Sequence, residues 1–279
     1  MHTPRWALDT RRIDLAEGIQ LRGFEGSEVE SLYHRMCRDH HMDSGEPFHF
    51  EAMFLVDFEQ ESTAEFDGPD STVSRLSNTL AVCTRASLGM CRLWYLPDTP
   101  DWHPQSRVLT EAVALLGHDR QDDLVIDCDT ARRVVQCWRT YSSLPRGRVI
   151  NALDFFFSAW RACFPDHLCL NLSIALESLF SPDSDRELAH QIAYYASRHA
   201  GRSAAERRRI FKEIKTFYSQ RSKIVHGADP KWEKVMEIAP LIFRFCATQL
   251  ERLLLEPSLA LEMNDRTKRR ALFERLLFE

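Results

Sequence analysis

The chain has 279 residues, 44% of them hydrophobic, and its 36 Lys and Arg against 41 Asp and Glu give a net charge of −5. This is the composition of an ordinary globular protein with room for two domains. The negative charge excludes nucleic-acid binding through a globally basic surface, so any such site has to be a local patch. No apolar run reaches the ~18 residues of a membrane span and the polar start of the chain is unlike a signal peptide, so we expect a cytoplasmic protein with no membrane partner. The eight scattered cysteines form no C-x2-C pair, which favours reduced thiols over disulfides or a zinc finger.

The first half of the chain has a mixed pattern. Apolar and β-forming residues between turn residues predict strands within residues 13–24, 48–58, 90–96 and 124–126. Apolar residues at helical spacing predict helices over residues 28–41, 71–86, 108–116 and 129–138. We therefore expect residues 1–144 to form a small α+β domain.

A cluster of possible metal ligands stands in this first half: His34, Cys37, His40 and His41, with His49 nearby. Imidazole and thiolate groups three and four residues apart on a helix can converge on a metal ion, which would favour a metal-dependent hydrolase. The alternative is that these residues lie on the surface of an amphipathic helix with Cys37 partly buried. We favour the alternative and predict neither a metal site nor a cofactor.

The junction with the second half is predicted at residues 142–148, where Pro145 and Gly147 interrupt the periodicity. Everything after it has helical spacing. Predicted helices cover residues 149–164, 166–180, 185–199, 203–226, 231–255 and 259–278. We expect an all-α bundle over residues 145–279.

Glu177 is the unusual residue of the second of these helices, which is apolar on nearly every side. A carboxylate in such a helix costs several kcal/mol to desolvate unless a cation or hydrogen-bond donors meet it. It either lies on a solvated edge, bonds a neighbouring helix terminus, or orients a functional group.

The helix predicted over residues 203–226 begins with a capping-box pattern, Ser203 and Glu206, and ends before Gly227. Its last turns carry Arg221 and His226. At 100° per residue these two side chains point about 140° apart, whereas Ser222 and His226 share one face. A site that uses both needs the long Arg221 side chain to swing round, or a second copy of the helix.

The segment RSKIVHG, residues 221–227, resembles the R-x4-6-H motif of HEPN domains, and is most similar to the ApeA-like group. The segment LESLF, residues 176–180, is similar to that group's upstream helix, and the resemblance covers roughly residues 145–255. It implies catalytic roles for Arg221 and His226, with Glu177 and Ser222 in support. It also implies a homodimer in which two such helices face each other.

An arginine and a histidine suffice to cleave RNA without metal, because the ribose 2′-hydroxyl is a built-in nucleophile once a base takes its proton. Histidine titrates near neutrality and suits that step, and the guanidinium stabilises charge on the phosphate oxygens. The products would carry 2′,3′-cyclic phosphate and 5′-hydroxyl ends. Lys223 and Tyr218 are candidate RNA contacts, as is the run Arg207–Arg209, although a solvated charged face is the commoner role for such a run.

The expected fold class is therefore an α+β N-terminal domain followed by an all-α HEPN-type helical bundle. The resemblance implies an endoribonuclease that cleaves cellular or phage RNA, with tRNA as one possibility, as a toxin or anti-phage effector. The N-terminal domain would then sense a trigger or bind a regulatory protein. The alternative is a catalytically silent HEPN module that binds a nucleotide or scaffolds an assembly.

Overall fold

The computed structural model describes residues 7–8, 12–16, 19–22, 75, 78–79, 82–83, 91–94, 106–109, 125–126, 128–160, 162, 164–182 and 187–278. The chain divides into two compact units. The strands belong to the first unit, and the helices that follow residue 143 belong to the second.

The described strands of the first unit are short. They are β1 (Ala7–Leu8), β2 (Arg12–Ala16), β3 (Ile19–Arg22), β4 (Cys91–Trp94), β5 (Ser106–Leu109) and β6 (Val125–Ile126). Strand β1 pairs in parallel with β6, while β2 with β3 and β4 with β5 form antiparallel pairs.

Several strand predictions fall on these segments, and one helix prediction fails. The strands predicted within 13–24, 90–96 and 124–126 are present as β2, β3, β4 and β6. The helix predicted to start at residue 108 is wrong at that end, because residues 108 and 109 belong to β5; β-branched Val108 suits a strand as well as a helix. The predictions for 28–41 and 48–58, together with the His34, Cys37, His40 and His41 cluster, lie outside the described residues.

The predicted fold class is wrong as it was stated. Within residues 128–276 every described element is a helix and none is a strand. This includes α1 (Cys128–Ser143), a helix of 16 residues that the prediction had assigned to an α+β domain. The apolar residues predicted this helix, but only to residue 138. It continues to Ser143, since no proline or glycine interrupts it before Pro145. The α+β domain itself falls largely outside the described residues.

The helices of the second unit follow one another with short connections. They are α2 (Arg148–Trp160), α3 (Pro165–Phe180), α4 (Leu188–Ala200), α5 (Ala204–Val225), α6 (Trp232–Leu255), α7 (Pro257–Asn264) and α8 (Arg266–Phe278). Each predicted helix after residue 148 is confirmed, although α2 ends at Trp160 rather than 164 and the last one is split in two.

Helix α3 lies at the centre of this unit and contacts α2, α4, α5 and α6. It is apolar round most of its circumference, and Leu168, Leu172, Leu176 and Leu179 are fully buried in it. A helix apolar on most sides is stable only when neighbours surround it. The energetic core of the unit therefore forms around α3, and Glu177 belongs to this helix.

Asp265 explains why the last predicted helix is two helices. Its amide donates to the carbonyl of Leu261, which ends α7, and its carboxylate Oδ1 accepts the Lys268 N–H at 2.9 Å, which begins α8. That backbone hydrogen bond lowers the pKa of Asp265. Aspartate is one of the residues preferred at the N-cap of a helix. The chain can therefore change direction at Asp265 while an N–H of the first turn of α8 keeps a hydrogen-bond acceptor.

None of the helices among the described residues combines the length and the apolar content needed to cross a bilayer.

The start of α2 is capped from the far end of the unit. The Asn264 side-chain oxygen accepts the Val149 N–H at 2.9 Å, 115 residues away in sequence. A Cβ added at Gly147 would lie 2.7 Å from the Asn264 side chain. Glycine therefore leaves the room in which this long-range cap can form.

We expect Asn264→Ala to lower the free energy of unfolding of the helical unit by about 1 kcal/mol, because an N-cap bond is lost. Gly147→Ala should destabilise the wild-type chain through the clash. The same substitution should cost less in the Asn264→Ala background, where the clashing atoms are gone. Urea unfolding followed by circular dichroism measures the cycle; strictly additive effects would contradict the contact.

Candidate functional site

Helix α5 carries the predicted catalytic pair, and both of its ends are defined by the sequence. Ser203 caps the start by accepting the Glu206 N–H at 3.2 Å, and the Glu206 carboxylate accepts the Arg202 N–H at 3.0 Å. The predicted capping pattern is confirmed, with the carboxylate bonded one residue before the cap. The buried residues Ile210, Ile214 and Phe217 hold the helix against the unit.

The end of α5 is a Schellman motif centred on Gly227. Gly227 has φ +68°, its N–H donates to Ile224 O at 3.2 Å, and the Ala228 N–H donates to Lys223 O at 2.8 Å. Glycine is the residue that adopts this left-handed conformation without strain. His226 is the C-cap residue just before it, so its backbone is fixed by the way the helix ends.

Arg221 points into the unit, toward α3. Its Nη2 lies 3.6 Å from the Glu177 Oε1, and the two side chains are 30% and 23% exposed. This distance is an ion pair but longer than a hydrogen bond. Of the three roles considered for Glu177, the structure therefore favours a contact with Arg221 over a position on a fully solvated edge of α3.

Tyr218 is the third member of this cluster. Its hydroxyl lies 3.2 Å from the Ser173 carbonyl oxygen and 3.4 Å from the Glu177 Oε1, so one proton is shared between two acceptors. The side chain is 5% exposed, and burial, followed by the nearby Glu177 charge, raises the pKa of Tyr218 well above its ordinary value. The phenol is therefore a neutral donor that positions Glu177. Its hydroxyl is hydrogen-bonded inside the bundle, so Tyr218 is not among the proposed RNA contacts.

The environment of Glu177 opposes its ionisation. Burial raises the pKa of this carboxyl, and the Arg221 charge and the Tyr218 hydrogen bond act in the opposite direction without cancelling it. Arg221 and Tyr218 therefore both favour the anionic form that pairs with the guanidinium.

The guanidinium of Arg221 has N–H donors that make no hydrogen bond with a described residue. Its Nε is buried and makes no hydrogen bond among the described residues. Its one ion-pair contact there is the long one to Glu177. The side chain is 30% exposed, so an anion can reach its terminal nitrogens, which make no hydrogen bond among the described residues, rather than the buried Nε.

His226 lies on the other side of α5, exposed to solvent. Its N–H donates to Ser222 O at 3.1 Å, and its imidazole makes no hydrogen bond or ion pair within the part of the chain that the structure describes. Ser222 is exposed and Lys223 is half-buried on the same side. Since Arg221 and His226 stand five residues apart, they are separated by about 140° and about 7.5 Å along the axis. A single copy does not bring them together.

Two sets of residues around this cluster were not anticipated from the sequence. Arg148 Nη1 donates to the Ser181 carbonyl at 2.9 Å, and Asn151 Nδ2 donates to Ser178 Oγ at 2.7 Å, so α2 holds the C-terminal turn of α3 on which Glu177 lies. Cys169 lies within the field of Arg221, yet burial dominates and raises the pKa of its thiol to about 12. Arg148 at the first position of a largely apolar helix was the available signal for the first set.

A pocket of about 360 Å³ lies at the start of α4, lined by Glu187, Leu188, Ala189, His190 and Lys215. Neither Arg221 nor His226 lines it, so it is separate from the predicted catalytic pair. No group of three potential metal ligands occurs among the described residues.

We expect Glu177→Gln to change how stability depends on pH. The folded pKa of Glu177 lies above the ordinary 4.5, so the stability its neutral form contributes is fully present below that value and is lost as pH rises through the folded pKa. Glutamine cannot titrate. The difference in free energy of unfolding should therefore move in favour of the Gln variant as pH rises through this window.

Urea unfolding at a series of pH values measures this difference. Tyr218→Phe provides the companion variant: it removes a donor that favours the anion, so the pH dependence from Glu177 should become steeper. A difference that is flat across the window, or that moves toward the wild type, would contradict the assignment.

Comparison of the chain with protein-family models, with curated proteins and with solved structures finds no match.

Proposed function

We propose that the chain is a metal-independent endoribonuclease of the HEPN type, with Arg221 and His226 as its catalytic residues. The observation that carries the proposal is the state of these two side chains. Arg221 is held by a single long ion pair and keeps unused donors, and His226 ends the same helix with an exposed imidazole that contacts no partner among the described residues. The RSKIVHG and LESLF segments, which resemble those of ApeA-like HEPN domains, support the same reading.

Each group has a defined step in the reaction. The His226 imidazole takes the proton of a ribose 2′-hydroxyl, and the oxygen attacks the adjacent phosphorus. The guanidinium of Arg221 binds the non-bridging oxygens as negative charge develops on them. The bond to O5′ breaks, and that oxygen takes up a proton from water or from a protonated imidazole. The strand is left with a 2′,3′-cyclic phosphate and a 5′-hydroxyl.

Glu177 and Tyr218 act on this reaction through Arg221. Glu177 attracts the guanidinium at 3.6 Å but does not occupy it with a bidentate pair. Tyr218, through its hydrogen bond to the same carboxylate, limits where that charge can move. Glu177 therefore orients Arg221 and leaves its donors available for phosphate.

The separation of Arg221 from His226 calls for two copies of the chain. A two-fold axis places one helix opposite its equivalent, so that an arginine from one copy can face a histidine from the other. We propose a homodimer of this kind. Ser222 and Lys223, on the His226 side of α5, are then available at the composite site as a hydroxyl and a cation.

The proposed biological role is a cytoplasmic toxin or anti-phage effector that cuts tRNA or other cellular or phage RNA. Residues 1–144 would sense the trigger or bind a regulatory protein. This role rests on the family resemblance.

A catalytically silent module is the second candidate, and one observation favours it. The nearest partner of Arg221 is Glu177 inside the bundle, which is also what a purely structural ion pair would show. In that case Arg221 stabilises the fold and the chain binds a nucleotide or scaffolds an assembly.

We expect the wild-type protein to cut tRNA in the presence of EDTA. Arg221→Ala should reduce the rate about 10²–10³-fold, as loss of a transition-state donor does, and His226→Ala about 10²–10⁴-fold, as loss of a general base does. Gel electrophoresis measures cleavage, and mass spectrometry identifies the cyclic phosphate.

Arg209→Ala is the matched control, because Arg209 lies on the same helix but is paired with Glu213 at 3.0 Å. It should cut like the wild type. Cleavage that needs added metal and survives both site substitutions would reject the proposal. No cleavage by the wild type, combined with a loss of stability in Arg221→Ala, would favour the silent module.

Mixing the two inactive variants tests whether the site is shared between copies. In a heterodimer of Arg221→Ala with His226→Ala, one of the two composite sites keeps an intact arginine and histidine. Co-expression should therefore restore about a quarter of the wild-type rate, since about half the dimers are mixed and each has one working site. No restoration, with mixed dimers confirmed by affinity tags, would place both residues of each site in one copy.

A further inference from the structure

We infer that the exposed face of α5 is a phosphate-binding track that guides a single RNA strand to His226. This inference rests on the proposed function and adds the surface through which the substrate binds. The track consists of Arg208, Lys212, Lys215 and Lys223, hereafter the basic stripe.

The four cations of the basic stripe lie on one line. At 100° per residue they fall within an arc of about 80°, and His226 lies inside the same arc. Arg208, Lys212 and Lys215 are exposed and Lys223 is half-exposed. From Arg208 to Lys223 the line runs about 22 Å along the helix, and it ends at the predicted general base.

The charges of the stripe have no ion-pair partner within the part of the chain that the structure describes. No carboxylate among the described residues forms an ion pair with any of the four, and Arg208 instead donates from Nε to the Ala204 carbonyl at 3.3 Å. The acids of α5, Glu206 and Glu213, lie about 160° and 140° round the helix from Arg208.

The rest of the Arg207–Arg209 run serves other purposes. Arg207 donates to the Gly201 carbonyl at 2.9 Å, and Arg209 pairs with Glu213. Only Arg208 contributes to the stripe, so the structure separates the one arginine that is available from the two that are engaged.

The whole chain has a net charge of −5, yet these four cations lie in a row with no acidic partner among the described residues. A local line of positive charge attracts a polyanion even where the whole molecule does not. Because the line is one side chain wide, it matches one phosphodiester strand better than the two strands of a duplex. Lys215 also lines, together with Glu187, the pocket at the start of α4, which leaves space beside the track for part of a nucleotide.

The composition of the face favours RNA over an anionic membrane. The other positions within the arc are Ala205 and Ser219, which are small or polar. Phe211, about 60° from Arg208, is half-buried with its ring against His190, and exposed Val225 lies about 100° away. Peripheral membrane helices need large apolar residues to enter the bilayer, and the arc of the stripe contains none.

Binding to a labelled 2′-O-methyl RNA oligonucleotide tests the track, because the probe keeps the phosphates but lacks the nucleophile and cannot be cut. The stripe variant combines Arg208→Gln, Lys212→Gln and Lys215→Gln. We expect it to bind about tenfold more weakly or worse, with the slope of log K against log salt reduced by about 2, since each lost contact to a single strand removes about 0.7.

The control variant combines Arg132→Gln, Lys234→Gln and Arg270→Gln. It changes the net charge by the same amount at exposed cations that are already paired with Asp129, Glu237 and Glu274. It should bind like the wild type. Equal losses in both variants, full binding by the stripe variant, or no binding by the wild type at low salt would each overturn the inference.

Two further arms separate the possible failures. Phosphatidylserine vesicles replace RNA in one arm, and stripe-dependent binding to vesicles without stripe-dependent binding to RNA overturns the assignment to RNA. His226→Ala is titrated with the uncleavable probe in the other and should bind like the wild type. If the stripe variant loses binding while Arg221→Ala and His226→Ala still cut, the track stands and the proposed catalytic pair fails.

Discussion

The carboxylate of Glu177 sets the terms on which the helical unit can pack. Glu177 lies on α3, which four other helices surround. Without a cation and a hydrogen-bond donor beside it, the packing of α3 would leave this carboxylate charge buried and unpaired. Arg221 supplies the cation and Tyr218 the donor, both from α5. This contact lies on the same side of α5 as the buried Ile210, Ile214 and Phe217, and together they fix the rotation of α5 about its own axis.

That rotation divides α5 into two faces with different tasks. Once Arg221 is turned toward α3, His226, Ser222 and the basic stripe necessarily face solvent, because the helix has one period throughout. The polar side chains of α5 are thus divided between two faces by the way the helix packs against its neighbours. It also means that the two predicted catalytic groups are kept apart in one copy by the very pairing that holds the arginine in place.

The sequence predicted the helices of the second half of the chain and part of the cluster around Glu177. The apolar spacing and the caps at Ser203 and Gly227 are local signals, and they placed α5 correctly at both ends. The motif pointed to Arg221 and Glu177, but the sharing of Tyr218 between Ser173 and Glu177 depends on how two helices pack, and no local pattern reports that. The break at Asp265 was missed because a helix pattern that resumes at once looks continuous. The predicted fold class was wrong because the described elements from residue 128 to 276 are all helices.

The Schellman turn after α5 has a consequence for how this kind of protein diverges. The backbone around His226 is set by Gly227 and by the Lys231 N–H, which donates to the Gln220 side chain at 3.1 Å, and the ring makes no hydrogen bond or ion pair with a described residue. A lineage can thus exchange that one side chain by a single codon change without rebuilding the scaffold. A chain without the His226 imidazole would keep the same backbone, so the fold alone would not reveal whether the proposed ribonuclease reaction is possible.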